Sequence, residues 1–213
     1  MKLTSYFRST AAYRVRIALE LKGLEYEIES INLLKGEQRS DSFKSINPQG
    51  LIPTLTVGDD TISQSMAILE YLEERHPEVS LLPDKSEQRA YVRSLAQAIV
   101  SDIHPLNNLR VLQYLENDLG VSKEQKSDWY QHWVRLGFLA LEQSLATSQY
   151  SGLCCFGDNP SLADVCLIPQ VYNAHRFAVP MGEVPTISRI NQYCLALPEF
   201  ERARPESQSD FTG

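Results

Sequence analysis

The first 80 or so residues change periodicity element by element, and the chain then turns helical to its end. No other feature constrains the fold as much. "KLTSYF" opens as a short strand, and Ala11, Val15, Ala18 and Leu19 follow at i, i+4, i+7 and i+8, a helical stripe that Gly23 can end. "EYEIES" alternates Glu25, Glu27 and Glu29 with Tyr26, Ile28 and Ser30, the pattern of a half-buried strand with one charged face. "EQRSDSFKS" is a weak helix. "PTLTVGDDTIS" gives two short runs around Gly58-Asp59-Asp60, a hairpin signal, and "QSMAILEYLEERH" is an amphipathic helix with Ile68, Leu69 and Leu72 inward.

The order βαβαββα predicts a mixed sheet: a parallel pair from the first βαβ unit and an antiparallel hairpin after it. That is a thioredoxin-like α/β domain, placed over residues 1–80. "HPEVSLLPDKSEQ", with two prolines, reads as a linker. Residues 86–213 form the expected all-helical domain. Its first helical stretch carries a kink at Pro105, and a long helix covers "KEQKSDWYQHWVRLGFLALEQSLA". Ser161 and Asp164 open a further helix as a capping box. Trp129, Trp133, Phe138, Leu141 and Cys166 read as packing.

At 213 residues the chain can bury a substantial core, and its net charge of -7 disfavours nonspecific binding to nucleic acid or anionic membranes. No apolar run reaches the roughly 18 residues of a membrane span, and Thr4, Ser5 and Arg8 interrupt any signal-peptide pattern. A cytoplasmic protein is expected. Cys154 and Cys155 are adjacent while Cys166 and Cys194 stand alone, which fits neither a redox pair nor zinc spacing, so reduced structural thiols and no metal are expected.

The turn from strand one into helix one is where thioredoxin-like redox proteins place Cys-x-x-Cys. Here it reads Ser9-Thr10-Ala11-Ala12, which disfavours a disulfide oxidoreductase and means that any thiol must be borrowed. Ser9 and Thr10 are favoured helix N-caps in their own right. They also stand beside unpaired amides, where the helix dipole favours an anion such as a thiolate.

With "STAAYRVRIALELKG", "NPQGLIPTL", "ISQSMAILEYLEE" and "PSLADVCLIPQ" in that order, the whole chain resembles the glutathione transferases. The pattern from Ser9 to Leu19 resembles the zeta class, which includes maleylacetoacetate and maleylpyruvate isomerases. The resemblance implies glutathione as cofactor and a cytoplasmic homodimer that converts maleylacetoacetate to fumarylacetoacetate in aromatic amino acid breakdown. Maleylpyruvate isomerisation and general glutathione conjugation are the alternatives within enzymes, and a noncatalytic binding module is the alternative outside them.

It also implies site residues. Ser9 bonds the glutathione sulfur; Thr10 stands for a second serine, and Ala11 for a cysteine common in eukaryotic members. Gln38 contacts the tripeptide, and a cis bond at Pro53 leaves the Ile52 backbone to pair with it. Gln64 and Ser65 hold the γ-glutamyl end. His104, Asn108, Leu109 and Arg110 complete the cofactor site, and some members acting on maleylpyruvate carry arginine where Leu109 stands. Arg176, with Arg8 as a second candidate, binds the substrate's carboxylates. Taken without the resemblance, His104 is a solvated or core-edge histidine and Arg176 a surface arginine. Arg14 and Arg16 are expected to make structural or interdomain salt bridges.

Overall fold

Four short strands form one mixed sheet in the order β2–β1–β3–β4: β1 (Lys2–Ser5), β2 (Glu27–Ser30), β3 (Thr54–Val57) and β4 (Asp60–Ser63). β1 runs parallel to β2, with Leu3 opposite Ile28, and antiparallel to β3, with Leu3 opposite Leu55. Leu3 and Leu55 are fully buried, which fixes the register, because a one-residue slip would turn both outward. The computed structural model describes residues 1–212 and divides into two units, Met1–Leu81 with the stretch from Ala196, and Leu82–Leu195.

In the first unit α1 (Thr10–Leu21) and α3 (Ser65–Arg75) pack on each other. Val15, Ile17, Ala18 and Leu19 of α1 and Ile68, Leu69 and Leu72 of α3 are completely buried, each large side chain contributing about 1.5–3 kcal/mol. Gly23, at φ 64°, ends α1 as the sequence predicts: the Gly23 amide donates to Glu20 O and the Leu24 amide to Leu19 O. The Lys22 ammonium, wholly buried, then ties the two helices by donating to Glu73 (2.9 Å) and to the carbonyls of His76 and Val79. Six-residue α2 (Asp41–Ile46) lies between β2 and β3.

The chain from Ala196 onward departs from the expected single helical domain over 86–213. Its helix α9 (Pro198–Ala203) packs on α1. Arg16, fully buried, explains why. Its Nε donates to Ala203 O (2.9 Å), Nη1 to Ser5 Oγ (3.1 Å) and Nη2 to Phe7 O (3.0 Å). A desolvated guanidinium needs such acceptors. Its role is structural, but these bonds run to carbonyls and the Ser5 hydroxyl where a salt bridge is expected from the sequence.

The second unit contains α4 (Ser86–Gln97), α5 (Leu109–Asn117), α6 (Lys123–Ala146), α7 (Leu162–Arg176) and α8 (Pro185–Leu195). The expected kink at Pro105 is a longer irregularity, a π-helical turn over Ala98–Ile103 followed by a 3-10 turn over His104–Asn107. Gly137 of α6 lies directly against Ile103, where an added Cβ would overlap the Ile103 side chain. The capping box of α7 is present and completely buried: Asp164 accepts from the Ser161 amide, the Ser161 hydroxyl and the Cys155 amide at 2.7–2.8 Å. Among the described residues no helix is long and apolar enough to cross a membrane.

Candidate active site

β1 ends at Ser5, and residues Tyr6, Phe7 and Arg8 turn the chain into α1. The Ser9 amide closes that turn on Tyr6 O (2.9 Å), and Ser9, with extended φ/ψ, is the N-cap of α1. Its Oγ accepts from the Ala12 amide at 3.2 Å. A hydroxyl that accepts still has its own proton to donate. Thr10, buried, and Ala11, half-buried, are the first two helical residues, so their backbone amides lie in the turn where the helix dipole is positive.

The register places the other loops of this unit at the same end of the sheet. Thr4 pairs with Thr54, and Thr54 with Ser63, so the segment entering β3 and the segment leaving β4 both neighbour the end of β1. The Ile52–Pro53 bond is cis, as expected, and Ile52 is buried. Tyr6 and Phe7 share one apolar cluster with Ile52 and Phe43 of α2. Gln38 is buried, with its Oε1 bonded to nothing among the described residues. Gly50, at φ 62°, lies close beneath the Gln38 carbonyl, where a Cβ would sit only 3.0 Å from that oxygen.

α3 begins without a side-chain cap. Gln64 holds φ 71° and ψ 118°, a conformation that costs a residue with a Cβ about 1–3 kcal/mol and tends to mark functional sites. Its side chain is tied back to the Pro53 loop, Nε2 donating to Gln49 Oε1 (2.6 Å). Ser65 is buried and accepts from Arg14 Nη1 at 3.3 Å, so Arg14 links α1 to the uncapped start of α3. Ser9, Thr10, Ala11, Gln38, Ile52, Gln64 and Ser65 thus share one end of one unit. Arg14, expected to be structural, supports them with Gln49 and Gly50; Gln49 carries no signal that sequence reading could have used.

In the second unit Asn108 caps α5, accepting from the Arg110 amide (3.1 Å), and its amide lies 3.4 Å from His104 Nε2. Leu109 is half-buried and Arg110 exposed. Trp129 of α6 steadies the segment by donating to Leu106 O (2.7 Å). Two residues on, Gln131 donates to Phe177 O (2.9 Å), just past Arg176. Arg176 ends α7 exposed, its Nη1 on Asn173 Oδ1 (2.7 Å) and its guanidinium 5.6 Å from the Phe177 ring, which stacks on Tyr130. Burial pushes the Tyr130 phenol up, against the opposing charge of Arg176. Arg8 belongs to the first unit, half-buried beside Phe7.

All four cysteines are buried in the second unit, and none is in a disulfide. Burial and the neighbouring Asp164 push the Cys155 thiol well up, and a hydrogen bond with Cys154 together with burial does the same for Cys194. Neither is a thiolate near neutrality.

A thioredoxin-like sheet unit with a hydroxyl in place of the redox cysteine, joined to an all-helical unit, is the glutathione transferase fold, and residues 8–75 match the glutathione S-transferase N-terminal domain family. A probable maleylacetoacetate isomerase of Vibrio cholerae is 48% identical over 98% of this chain and 97% of its own. Among solved structures, the holo form of a bacterial zeta-class maleyl pyruvate isomerase superposes with a TM-score of 0.98 at 42% identity, each chain covered in full. A maleylacetoacetate isomerase from Methylobacterium extorquens, with malonate and glutathione bound, gives 0.97 at 39%, again in full. The chain belongs to the zeta-class glutathione transferase and maleylacetoacetate isomerase family.

Proposed function

We infer that this protein is a glutathione-dependent cis-trans isomerase of maleyl keto acids, and that maleylacetoacetate, converted to fumarylacetoacetate, is its substrate. The observation that carries the reading is the Ser9 turn: a hydroxyl and the first helix amides at the place where a cysteine would otherwise be, in a chain whose own thiols are buried. The residues present fit glutathione. The tripeptide needs an anion site for its sulfur, an acceptor or donor for its amides and a carboxylate site. The Ser9 turn, the unsatisfied Gln38 Oε1 and the uncapped start of α3 supply one of each.

Glutathione, when bound, supplies a thiolate that adds reversibly to the cis double bond, which rotates as a single bond and re-forms trans with the thiol regenerated. Ser9 donates its O–H to the sulfur, and the amides of Thr10 and Ala11 favour its ionised form. The backbone of Ile52 pairs with the tripeptide, and Gln64 and Ser65 hold its γ-glutamyl carboxylate. Gln38, His104, Asn108, Leu109 and Arg110 complete the cofactor's surroundings. Arg176, with Arg8, receives the substrate's carboxylates and steadies negative charge that grows on the keto group.

Both candidate acids are dicarboxylates that two arginines can hold, so maleylpyruvate is the alternative substrate that the rates must separate. The same reading makes the protein a cytoplasmic homodimer, which sedimentation of the purified protein checks. Rates on maleylacetoacetate, maleylpyruvate and an aryl halide, each with glutathione, test the assignment. The reading expects the highest kcat/KM on maleylacetoacetate; a preference for the aryl halide would replace it with a general conjugating transferase.

A further inference from the structure

The turn that presents Ser9 is pinned from two sides by groups of opposite charge. On the carbonyl side, Arg16 donates to Phe7 O at 3.0 Å and lies 3.5 Å from Tyr6 O. On the amide side, the Phe7 N–H donates to Asp210 Oδ2 at 3.0 Å, across 203 residues of sequence. The tail that brings Asp210 makes two more contacts with the same turn. Phe211 sets its edge against the Phe7 ring, with centroids 5.5 Å apart at 86°, and Thr212 O lies 3.5 Å from Arg8 Nη2.

Arg16 also holds the base of this tail, through Ala203 O. The Gln208 Nε2 group bonds the Arg202 and Arg204 carbonyls at 2.9 Å, which turns the tail back after α9.

We propose that Asp210 is a positioning residue for the Ser9 hydroxyl: its carboxylate fixes the Phe7 peptide, and through it the direction in which the N-cap of α1 presents its O–H. The physical argument is local. Phe7 stands two residues before Ser9, inside the turn that the Ser9 amide closes on Tyr6 O. A Phe7 N–H without its acceptor can turn toward water or another partner, and rotation of that peptide carries the Tyr6 and Ser9 ends of the turn with it. A charge-assisted bond is the strong kind, suited to resisting that rotation. A hydroxyl that serves a reacting atom must be held to a fraction of an ångström, which is why one bond outside the reacting atoms affects turnover.

This inference rests on the glutathione-dependent reading of the Ser9 turn, and its test separates the two. Asp210→Ala is compared with Asp210→Asn, which keeps an acceptor oxygen for the Phe7 amide. For Asp210→Ala we expect kcat about tenfold lower, the KM for glutathione within about twofold of wild type, and the thiol of bound glutathione titrating at higher pH by its ultraviolet absorbance. Hydrogen exchange at the Phe7 amide should quicken, and Asp210→Asn should restore most of each property.

Wild-type kcat and thiol titration in Asp210→Ala would overturn the proposal. So would a rise in KM alone, or an equal loss in both variants, since those are the marks of a purely structural tail. If the wild-type protein neither binds glutathione nor isomerises, the functional reading fails on its own account. The exchange rate of the Phe7 amide then decides whether Asp210 pins the turn, and an unchanged rate counts against it.

Discussion

Removing the Ser9 hydroxyl should produce two effects of different origin. The first concerns the helix. Ser9 Oγ accepts the Ala12 amide at 3.2 Å, and losing an N-cap of this kind destabilises a protein by about 1 kcal/mol. The second concerns the bound thiol. A hydrogen bond to a charged group is worth about 1.5–3 kcal/mol, and one pKa unit corresponds to about 1.36 kcal/mol, so Ser9→Ala should raise the thiol pKa of bound glutathione by about one to two units. Turnover at neutral pH should then fall about ten- to a hundredfold.

Urea unfolding without glutathione measures the first effect, and ultraviolet titration of the bound thiolate measures the second. Ser9→Thr, which keeps a hydroxyl able to cap and to donate, should show little of either. Thr10→Ala should lose less turnover than Ser9→Ala. A Ser9→Ala variant that loses the cap energy yet titrates its thiol like wild type would refute the role given to this hydroxyl and leave Ser9 as a cap alone.

A methyl group at Gly137 must displace buried Ile103 from the π-helical turn, so Gly137→Ala should lower stability by about 1–3 kcal/mol in urea unfolding. Through the His104–Asn108 segment it should also weaken glutathione binding in calorimetry. Burial alone would raise the Glu73 carboxyl, but hydrogen bonds from Ser80, the Leu81 amide and Lys22 hold it below its ordinary value. The stability this brings is present above the unfolded pKa of about 4.3 and is lost as pH falls through the lower folded value. Glu73→Gln should therefore be less stable than wild type at pH 7, with the gap narrowing as pH falls below the unfolded value in denaturant titrations at several pH values. Arg176→Ala should raise the KM for the maleyl substrate about tenfold or more while leaving that for glutathione unchanged, and Arg176→Lys should restore only part, because an ammonium cannot make the paired bonds of a guanidinium.

What the sequence revealed depended on whether a feature is local. The βαβαββα order, the Gly23 stop, the Gly58 hairpin and the Ser161–Asp164 capping box are written in neighbouring residues, and the structure has each of them. The Ser9 cap was legible for the same reason, since Ser and Thr are favoured helix N-caps, whereas its role toward glutathione came only from the resemblance. Features made by distant partners were not. Asp210 lies in "QSDFTG", which carries no periodicity, and its role exists only because the tail folds back on Phe7.

Arg16 looked like a salt-bridge residue, yet burial directs several of its donors to carbonyls of the turn and of α9. The unwinding of Ala98–Ile103 precedes Pro105 by several residues, and Ile103 within it packs against Gly137, so the proline alone could not announce it. Gln64 was marked by resemblance, but its positive φ could not be foreseen, because glutamine is no turn former; Gln49 and the sheet edge hold it there.

The central claim is that the chain borrows its nucleophile. Purified protein mixed with maleylacetone, a simple maleyl ketone, and followed for loss of the cis isomer tests it most directly, once with glutathione and once without. The account predicts rapid isomerisation with glutathione and the uncatalysed rate without it. Equal isomerisation in both would place the nucleophile on the chain itself, and no isomerisation by a protein that binds glutathione would make the Ser9 turn part of a different reaction.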